Sequence, residues 1–324
     1  MPFAIRLQHP GGPEAMSWEE VPVGEPGPHE ARVRHAAVGL NYIDIYHRSG
    51  LYPLPQPSGL GLEAAGVVVA VGSAVSDLAA GDRVAYAGGP VGAYSQERCL
   101  PADRLLKLPA TIDFHTAAAM MLQGLTSAYL LLRTYPVKAG DAVLIHAAAG
   151  GVGLIACQWA KALGATVIGT VSNSAKATLA AAHGCDHVID YTREDFVSRV
   201  REITGGEGVA VVYDGVGKDT FAGSLDSLRT CGMLVSFGNA SGPVAAFDPL
   251  LLAQKGSLFL TRPTLMHYTA KRADLLELGG ALIEAVASGK LRIEVNQSYP
   301  LAEVAQAHRD LEARRLTGST ILLP

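Results

Sequence analysis

The sequence has few charged residues, few aromatic residues and few cysteines. Of its 324 residues, 17% are charged and 6% are aromatic, and 26 basic against 30 acidic side chains give a net charge of −4. Because no excess of lysine and arginine is available to neutralise phosphates, we expect no specific nucleic-acid partner. Apolar residues make up 49% of the chain, which excludes an intrinsically disordered protein, since disorder requires low hydrophobicity and high charge.

The four cysteines, Cys99, Cys157, Cys185 and Cys231, lie far apart in the sequence. Their spacing argues against a disulfide framework and against a four-cysteine zinc site. We therefore expect buried or inert thiols in a reducing, cytoplasmic compartment. The first residues lack a basic segment followed by an apolar run, so we expect no signal peptide.

One uncharged stretch, residues 142–160, is long enough to span a bilayer. It contains His146, Gln158 and a group of glycines between 150 and 153. A strand, a glycine turn and a helix explain this composition better than a membrane span, and we expect no membrane partner.

Glycine is abundant, with 36 residues, and glycines recur between short segments in the first third of the chain. Residues 1–110 carry short β-like runs between turn signals, at 31–39, 66–72 and 82–86. Short strands separated by turns are typical of a compact, β-rich domain.

The pattern changes after residue 110. A strongly apolar stretch at 116–134 predicts one helix, and short apolar strands then alternate with amphipathic helices between 142 and 237. This alternation predicts an α/β fold with a doubly wound parallel sheet that is covered on both faces. The tail, with predicted helices at 273–288 and 302–315 and a strand at 319–323, is expected to return to the first domain and make it discontinuous.

The strongest motif is the turn Ala147-Ala148-Ala149-Gly150-Gly151-Val152-Gly153, between a predicted strand and a predicted helix. Small residues allow the backbone N–H groups to approach a pyrophosphate, and the helix N-terminus stabilises the anion. The strand before the turn, the helix after it and a second strand within 30 residues favour a dinucleotide site. The alternative is a tight βα turn of another α/β fold.

The residues after the next predicted strand bear on the choice of cofactor. NAD-binding proteins usually place a carboxylate there to bind the ribose hydroxyls. Here Ser172, Asn173 and Ser174 follow the strand and Lys176 comes soon after. Hydroxyl and amide donors with a nearby cation favour a 2′-phosphate, and therefore NADPH. The alternative for Lys176 is an ordinary exposed lysine in the first turn of a helix.

A series of motifs in order makes the whole chain resemble the zinc-independent quinone oxidoreductases of the medium-chain dehydrogenase/reductase superfamily. The motifs are NYIDIYHRSGLY at 41–52, GLEAAGVVVAVG at 61–72, GDRV at 81–84, HAAAGGVG at 146–153, VVYDGVG at 211–217 and VSFGN at 235–239. The resemblance implies a discontinuous GroES-like catalytic domain at 1–124 and 266–324, a Rossmann NADPH-binding domain at 125–265, a cleft between them, and a homodimer.

The resemblance also implies a set of site residues. Asn41 and Tyr46 are expected near the nicotinamide, and Phe237, Gly238 and Asn239 along the nicotinamide half of the cofactor. The residues expected at the phosphates are Thr126, Gly150, Gly151, Val152 and Gly153, and those expected around the 2′-phosphate are Ser172, Asn173, Lys176, Tyr191 and Arg314. Tyr191 as a plain surface aromatic and Arg314 as a solvated charge are the alternatives for those two residues.

Zinc-dependent relatives hold their metal with a cysteine and a histidine at the positions of Asn41 and Leu62. Leucine cannot bind zinc and an amide is a poor ligand for it, so we expect no metal. Without a Lewis acid, alcohol oxidation becomes improbable. The expected acceptor is already electrophilic, such as a quinone or an enone.

Three residues are the candidates for catalysis. Asn41, Tyr46 and Tyr52 share one motif and could hydrogen-bond a quinone oxygen whose negative charge grows on reduction. In similar enoyl reductases a tyrosine at the position of Tyr52 acts as the acid, and the alternative is an aromatic that packs over the mouth of the site.

The expected activity is NADPH-dependent reduction of a quinone. The alternatives are an NADPH-dependent enone or 2-alkenal double-bond reductase and a non-catalytic, crystallin-like NADPH-binding protein. An apolar edge strand predicted at 257–261 agrees with the homodimer, because an open edge invites pairing across a two-fold axis.

Overall fold

The computed structural model describes all 324 residues. Antiparallel strands form in the first third of the chain, and apolar strands joined by helices form in its middle. The strands are β1 Phe3–Leu7, β2 Met16–Glu20, β3 Glu30–Leu40, β4 Glu63–Val71, β5 Arg83–Ala87, β6 Glu97–Pro101, β7 Leu106–Lys107, β8 Ala142–Ile145, β9 Thr166–Val171, β10 His187–Asp190, β11 Val209–Asp214, β12 Leu228–Ser236, β13 Phe259–Thr261, β14 Val295–Pro300 and β15 Ser319–Leu323.

The α-helices connect these strands or follow them. They are α1 Tyr42–Ser49, α2 Phe114–Ala118, α3 Met121–Tyr129, α4 Gly151–Ala162, α5 Ser174–Ala182, α6 Phe196–Ile203, α7 Phe221–Asp226, α8 Leu250–Gln254, α9 Leu265–Tyr268, α10 Arg272–Ala287 and α11 Val304–Glu312. Short 3₁₀ helices form at Pro13–Ala15, Ala102–Arg104 and Leu301–Glu303, and a π-helical turn at Leu130–Thr134.

The chain divides into two units, which we call the discontinuous unit (Met1–Leu125 with Tyr268–Pro324) and the central unit (Thr126–His267). The central unit contains a six-stranded sheet in the order β10-β9-β8-β11-β12-β13, and every neighbouring pair is parallel. Strand β11 is buried along its whole length, as expected of a parallel strand covered on both faces. The predicted doubly wound parallel sheet is confirmed.

The discontinuous unit is built on a mostly antiparallel sheet. Its strands follow the order β14-β15-β3-β4-β5-β7, and β6 pairs with β3. Strand β15, the last in the chain, pairs with the end of β3, with Thr320 opposite Leu40. The tail therefore returns to the first domain, as the sequence predicts.

The helix predicted over 116–134 is wrong in one respect, because the structure divides it. Helix α2 ends at Ala118 and α3 begins at Met121. The N–H of Leu122, which in a continuous helix would donate to the carbonyl of Ala118, donates instead to the carboxylate of Glu63 at 2.8 Å. A side chain distant in the sequence thus interrupts the helix.

One other expectation needs correction. The edge strand predicted at 257–261 is shorter, Phe259–Thr261, because Ser257 has a left-handed φ of 56°. Its position at the sheet edge is confirmed.

The four cysteines differ in exposure. Cys157 and Cys185 are buried, Cys99 is partly buried and Cys231 is exposed. That the two thiols outside the core are inert stays a prediction.

The stretch 142–160 forms strand β8, the glycine turn and most of α4, as predicted. None of the helices combines the length and the apolar character needed to cross a membrane.

Candidate active site

The glycine turn joins β8 to the N-terminus of α4. Gly150 is the N-cap of α4, and its N–H donates to the carbonyl of Ala147 at 2.8 Å. A Cβ on Gly153 would lie 2.3 Å from that same carbonyl oxygen, which is closer than Cβ atoms come to other atoms. No side chain can therefore be added at Gly153. The first-turn N–H groups of α4 are the donors that a helix leaves without intrahelical acceptors.

The turn contains one unexpected conformation. Ala147 is left-handed, with a φ of 52°, a conformation that L-residues other than glycine, asparagine and aspartate adopt rarely. The sequence pattern marks Ala148 as the residue in place of a glycine, but Ala148 has no positive φ. The strain lies one residue earlier, where the chain leaves β8.

The residues predicted for a 2′-phosphate gather at the ends of β9 and β10. Ser172 follows β9, and Asn173 is the N-cap of α5, where its Oδ1 accepts the N–H of Lys176 at 2.9 Å. The N–H of Tyr191 donates to the carbonyl of Val171 at 3.1 Å, which places Tyr191 beside the end of β9. Tyr191 is 44% exposed.

One carboxylate lies near this group. Asp190 ends β10, and its Oδ1 accepts the N–H of Thr192 at 3.1 Å and the Thr192 hydroxyl at 2.7 Å. The hydrogen bonds from Thr192 hold the pKa of Asp190 below its usual value. The turn after β9 itself contributes no carboxylate, as the sequence indicates.

The residues predicted along the nicotinamide half follow β12. The N–H of Phe237 donates to the carbonyl of Asp214, the last residue of β11, at 2.8 Å. A Cβ on Gly238 would lie 2.3 Å from the carbonyl oxygen of Gly215, so this turn is also bare for steric reasons. Asn239 continues the same turn. The ends of β8, β9, β10, β11 and β12 thus place these segments at one edge of the parallel sheet, where open α/β sheets bind ligands.

Thr126 and Arg314 are the two remaining residues predicted for the cofactor. Thr126 is buried in α3, at the first position of the central unit. Arg314 belongs to the discontinuous unit, beyond the end of α11, with a left-handed φ of 58°.

Asn41 begins α1 in the discontinuous unit and is only 5% exposed. Its backbone N–H donates to Asp44 Oδ2 at 2.9 Å, and the Tyr94 hydroxyl donates to the same oxygen at 2.8 Å. Burial raises the pKa of Asp44 to about 7, although both hydrogen bonds favour its ionised form. Asp44, at the third position of α1, thus accepts the N–H of the N-cap residue, as the acidic residue of a capping box does, and this bond favours a helix start here.

Tyr46 and Tyr52 contact each other, as expected for residues that act at one place. Their ring centroids lie 5.1 Å apart at 62°, an edge-to-face arrangement, and the N–H of Tyr52 donates to the carbonyl of Tyr46 at 3.0 Å. Tyr46 is buried and Tyr52 is half-buried.

Glu63 is the main residue that sequence reasoning missed. It is 1% exposed, and its Oε2 accepts from Asn41 Nδ2 at 2.7 Å. Gln123 Nε2 donates to Asn41 Oδ1 at 3.2 Å, and the Ser319 hydroxyl donates to Gln123 Oε1 at 2.6 Å. We call Glu63, Asn41, Gln123 and Ser319 the amide chain. Burial raises the pKa of Glu63 to about 8.

A signal for Glu63 was present in the sequence. It is an acidic residue at the start of the apolar run Glu63-Ala64-Ala65-Gly66-Val67. A charge in a strand that is otherwise wholly apolar requires a buried partner.

A second buried polar group supports α1 from its other end. Arg48 donates to Glu312 with two bonds, of 3.1 and 2.6 Å, and to His308 Nδ1 at 3.1 Å. Because arginine only donates, His308 Nδ1 accepts, and Nε2 therefore carries the proton that faces the Tyr94 hydroxyl at 3.1 Å. Burial lowers the pKa of His308 to about 3, so this histidine is a neutral structural residue.

No group of three or more histidine, cysteine, aspartate or glutamate side chains is arranged to hold a metal ion. At the positions where zinc-dependent relatives carry ligands, Asn41 is bonded to Glu63 and Gln123, and Leu62 is buried.

Two family models match the chain. Residues 27–110 match the alcohol dehydrogenase GroES-like domain, and residues 151–276 match a model described as zinc-binding dehydrogenase.

Three relatives cover nearly the whole chain. A quinone oxidoreductase of Pseudomonas aeruginosa is 55% identical over 315 residues, 97% of each chain. The crystal structure of Escherichia coli quinone oxidoreductase complexed with NADPH has a TM-score of 0.98 and 50% identity, and the match covers 99% of this chain and 100% of that one. A 2-haloacrylate reductase of a Burkholderia species is 48% identical over 334 residues, 100% of this chain and 99% of its own.

Proposed function

Since the chain belongs to the quinone oxidoreductase family of the medium-chain dehydrogenase/reductase superfamily, we propose that it transfers hydride or electrons from NADPH to a quinone. The observation that carries this proposal is the edge of the parallel sheet. There the bare glycine turn, the Ser172–Lys176 segment and the Phe237–Asn239 turn lie together, in a chain 50% identical to an enzyme solved with NADPH.

The residues present fit NADPH. The turn at Gly150, Gly151, Val152 and Gly153 leaves no room for a side chain at Gly153, which lets α4 pack closely against the end of β8. The first-turn N–H groups of α4 are the donors for a pyrophosphate. Ser172, Asn173, Lys176 and Tyr191 offer hydroxyl, amide and ammonium donors for a 2′-phosphate. When bound, the cofactor supplies the hydride at its nicotinamide C4.

We propose that the discontinuous unit contributes Asn41, Tyr46 and Tyr52 to the acceptor. Asn41 is held rigidly by its hydrogen bonds, and it orients the acceptor and the nicotinamide. Tyr46 shields the site from water, and Tyr52 holds the proton that the reduced acceptor takes up. Alignment of the two reactants supplies most of the rate enhancement in such a reaction.

A Tyr52→Phe variant tests the proton donor. The hydroxyl is removed while the ring contact with Tyr46 stays, so we expect kcat with naphthoquinones to fall about a hundredfold, as for loss of a general acid. The KM for NADPH is expected to stay within about twofold of the wild-type value. An unchanged kcat with both quinones and enones would show that Tyr52 is not an essential acid.

Reduction of an activated double bond is the second candidate. The 48% identity to a 2-haloacrylate reductase supports it, because a haloacrylate, like a quinone, presents an electron-poor double bond to a hydride. The same site residues serve both reactions, and the size of the acceptor separates them.

We further propose the two structural assignments that the family suggests. The discontinuous unit is the GroES-like catalytic domain, and the central unit is the NADPH-binding domain. The edge strand β13, with Phe259 exposed, pairs with its copy in a cytoplasmic homodimer. A monomeric mass in light scattering at micromolar concentration would contradict the dimer.

An acceptor screen tests the function. NADPH and NADH consumption is followed side by side with naphthoquinones, 2-alkenals and 2-haloacrylates. We expect turnover with NADPH and quinones to exceed all other pairs. Faster turnover of the alkenes favours the second candidate, and tight NADPH binding without turnover of any acceptor would overturn both.

A further inference from the structure

The hydrogen bonds of the amide chain all run in one direction, from donor to acceptor toward Glu63 at one end, and Glu63 sets that direction. Glu63 accepts the backbone N–H of Leu122 through Oε1 and the side-chain Nδ2 of Asn41 through Oε2. An ionised carboxylate has only acceptors. Asn41 must therefore turn its NH₂ group toward Glu63 and its Oδ1 away from it.

This first hydrogen bond fixes the orientation of the other groups in the amide chain. Asn41 Oδ1 accepts from Gln123 Nε2, which leaves Gln123 Oε1 to accept from the Ser319 hydroxyl. A serine hydroxyl donates or accepts equally well, so the Ser319 end imposes no direction. The N–H of Leu122 is a fixed donor, so the direction is imposed at the Glu63 end.

We propose that Glu63 is a positioning residue that sets the direction of the amide chain and thereby decides which atoms of Asn41 face the reactants. The inference rests on the proposed function, in which Asn41 contacts the acceptor and the nicotinamide. If the hydrogen-bond direction of the amide chain reversed, the remaining N–H and the remaining lone pair of the Asn41 side chain would exchange places. A donor aimed at an acceptor oxygen would then become a repulsive contact.

The packing around Glu63 leaves no other way to satisfy it. A Cβ on Gly39 would lie 2.0 Å from Glu63 Oε2, so glycine at that position is what admits the carboxylate. A buried carboxylate is costly unless it is hydrogen-bonded. Asn41 and the first turn of α3 supply those bonds.

Protonation of Glu63 gives a second route to the reversed chain. Oε1 still accepts from Leu122, so the proton resides on Oε2, which can then donate only to Asn41 Oδ1. The raised pKa of Glu63, about 8, places this change near neutral pH. The titratable groups around Glu63 are Asp44 from α1, Tyr86 from β5 and Tyr94 from the turn before β6.

The decisive variant is Glu63→Gln. The glutamine Oε1 keeps the bond from Leu122, and its NH₂ group then faces Asn41, so the Asn41 and Gln123 amides must turn over. Neutron diffraction from perdeuterated crystals at pH 9 shows the direction, because it locates the amide deuterons. We expect the wild-type direction to be the one described above and the variant direction to be the reverse.

Kinetics of the same variant report the consequence. At pH 9, where Glu63 is ionised, we expect kcat to fall by roughly ten- to a hundredfold, the range for loss of a charge-assisted contact, with the KM for NADPH within about twofold. The limb of the pH–kcat profile near pH 8 should disappear. Glu97→Gln is the matched control, because Glu97 is a partly buried carboxylate of β6 that pairs with Arg32 and Arg34. It should change neither kcat nor the amide direction.

A double-variant cycle separates positioning from a direct role. Because Glu63 acts through Asn41, Glu63→Gln in an Asn41→Ala background should be no slower than Asn41→Ala alone. A further loss in the double variant would overturn the inference. So would Glu63→Gln crystals that keep the wild-type amide direction.

Further measurements test the role of Glu63 if the variant does not fold or the protein reduces no quinone. If Glu63→Gln does not fold, neutron structures of the wild-type protein at pH 5.5 and pH 9 must show opposite amide directions, and identical directions refute the inference. If the wild-type protein reduces no quinone with NADPH, the proposed function fails while the neutron result still decides the direction. If Asn41→Ala keeps the wild-type kcat, the direction has no catalytic consequence, and this inference fails as well.

Discussion

The glycine turn and the amide chain solve the same problem, the precise placement of donors and acceptors, in opposite ways. The turn spans a few consecutive residues and uses backbone N–H groups, which every residue except proline possesses. The amide chain draws on residues 41, 63, 123 and 319 and uses side chains alone. The first depends on the absence of side chains, and the second depends on the identity of each one.

This difference decides how each region responds to change. A backbone site tolerates loss of neighbouring side chains but not the addition of a Cβ at Gly153. A buried side-chain site loses its partners with any substitution, and each partner left behind is costly. Changes in the two regions test this contrast between a backbone site and a buried side-chain site, from the largest expected effect to the smallest.

The largest effect is expected for Arg48→Met, in the buried polar group beside the amide chain. The change leaves His308 and Glu312 without their donor. We expect the free energy of unfolding to fall by about 3–4 kcal/mol, near the lower end for a broken buried pair because Glu312 reaches solvent. Urea unfolding measures it. Arg193→Met, at an exposed pair of the central unit, should change stability by less than about 0.5 kcal/mol, and equal losses would remove the contrast.

The next effect is a pH dependence that arises in the discontinuous unit. The pKa of Glu63 is raised to about 8 and that of Asp44 to about 7, so the folded protein holds protons that the unfolded chain releases near pH 4. The stability that these two carboxyl groups contribute is therefore lost as pH rises from about 5 to 8. Glu63 alone contributes a fall on the order of 3 kcal/mol.

Unfolding curves at several pH values measure this slope. Glu63→Gln should flatten it, although the variant is less stable overall. The lowered pKa values of His35 and His308, about 4 and about 3, act in the opposite sense below pH 6.5, where the unfolded chain binds protons that the folded protein does not. Between about pH 7 and 8, where the histidines of the unfolded chain have released their protons, a slope that Glu63→Gln leaves unchanged would contradict the assignment.

Loss of one side chain predicted to bind the 2′-phosphate should have a smaller and more selective effect. We expect Lys176→Ala to weaken NADPH binding by about 1.5–3 kcal/mol, roughly ten- to a hundredfold, because a charge-assisted bond to the 2′-phosphate is lost. NADH affinity should stay nearly the same. Isothermal titration with both cofactors measures this, and equal losses would show that Lys176 does not contact the 2′-phosphate.

The smallest effect is expected for Asn173→Ala. Asn173 caps α5 through its bond from the N–H of Lys176, and loss of such a cap costs about 1 kcal/mol of unfolding free energy. Asn173→Ser, which restores a capping oxygen, should recover most of that loss in urea unfolding. If serine recovers nothing, the cap contributes no stability at this position.

The fold was predictable from the sequence wherever its cause is local. The stretch 142–160 was assigned correctly because apolar residues, glycines and helix formers occur there in order along a few turns of chain. The segments after β9 and β12 lie at one sheet edge for an equally local reason, since parallel strands all end on the same side.

The amide chain was not predictable in this way. Gln123 and Ser319 are 196 residues apart, and Arg48 and His308 are 260 apart. No local pattern reports such pairs. The interruption between α2 and α3 was missed for the same physical reason, because its cause, Glu63, lies 59 residues before Leu122.

The pairing of β15 with β3 has a consequence for biosynthesis. Gln123 leaves the ribosome 196 residues before Ser319, and Asn41 and Glu63 leave it earlier still. While the intervening residues are translated, the nascent protein thus holds a carboxylate and two amides whose hydrogen-bonding partners are not all present. A ribosome that stalls before residue 319 yields a product in which the amide chain lacks its serine hydroxyl.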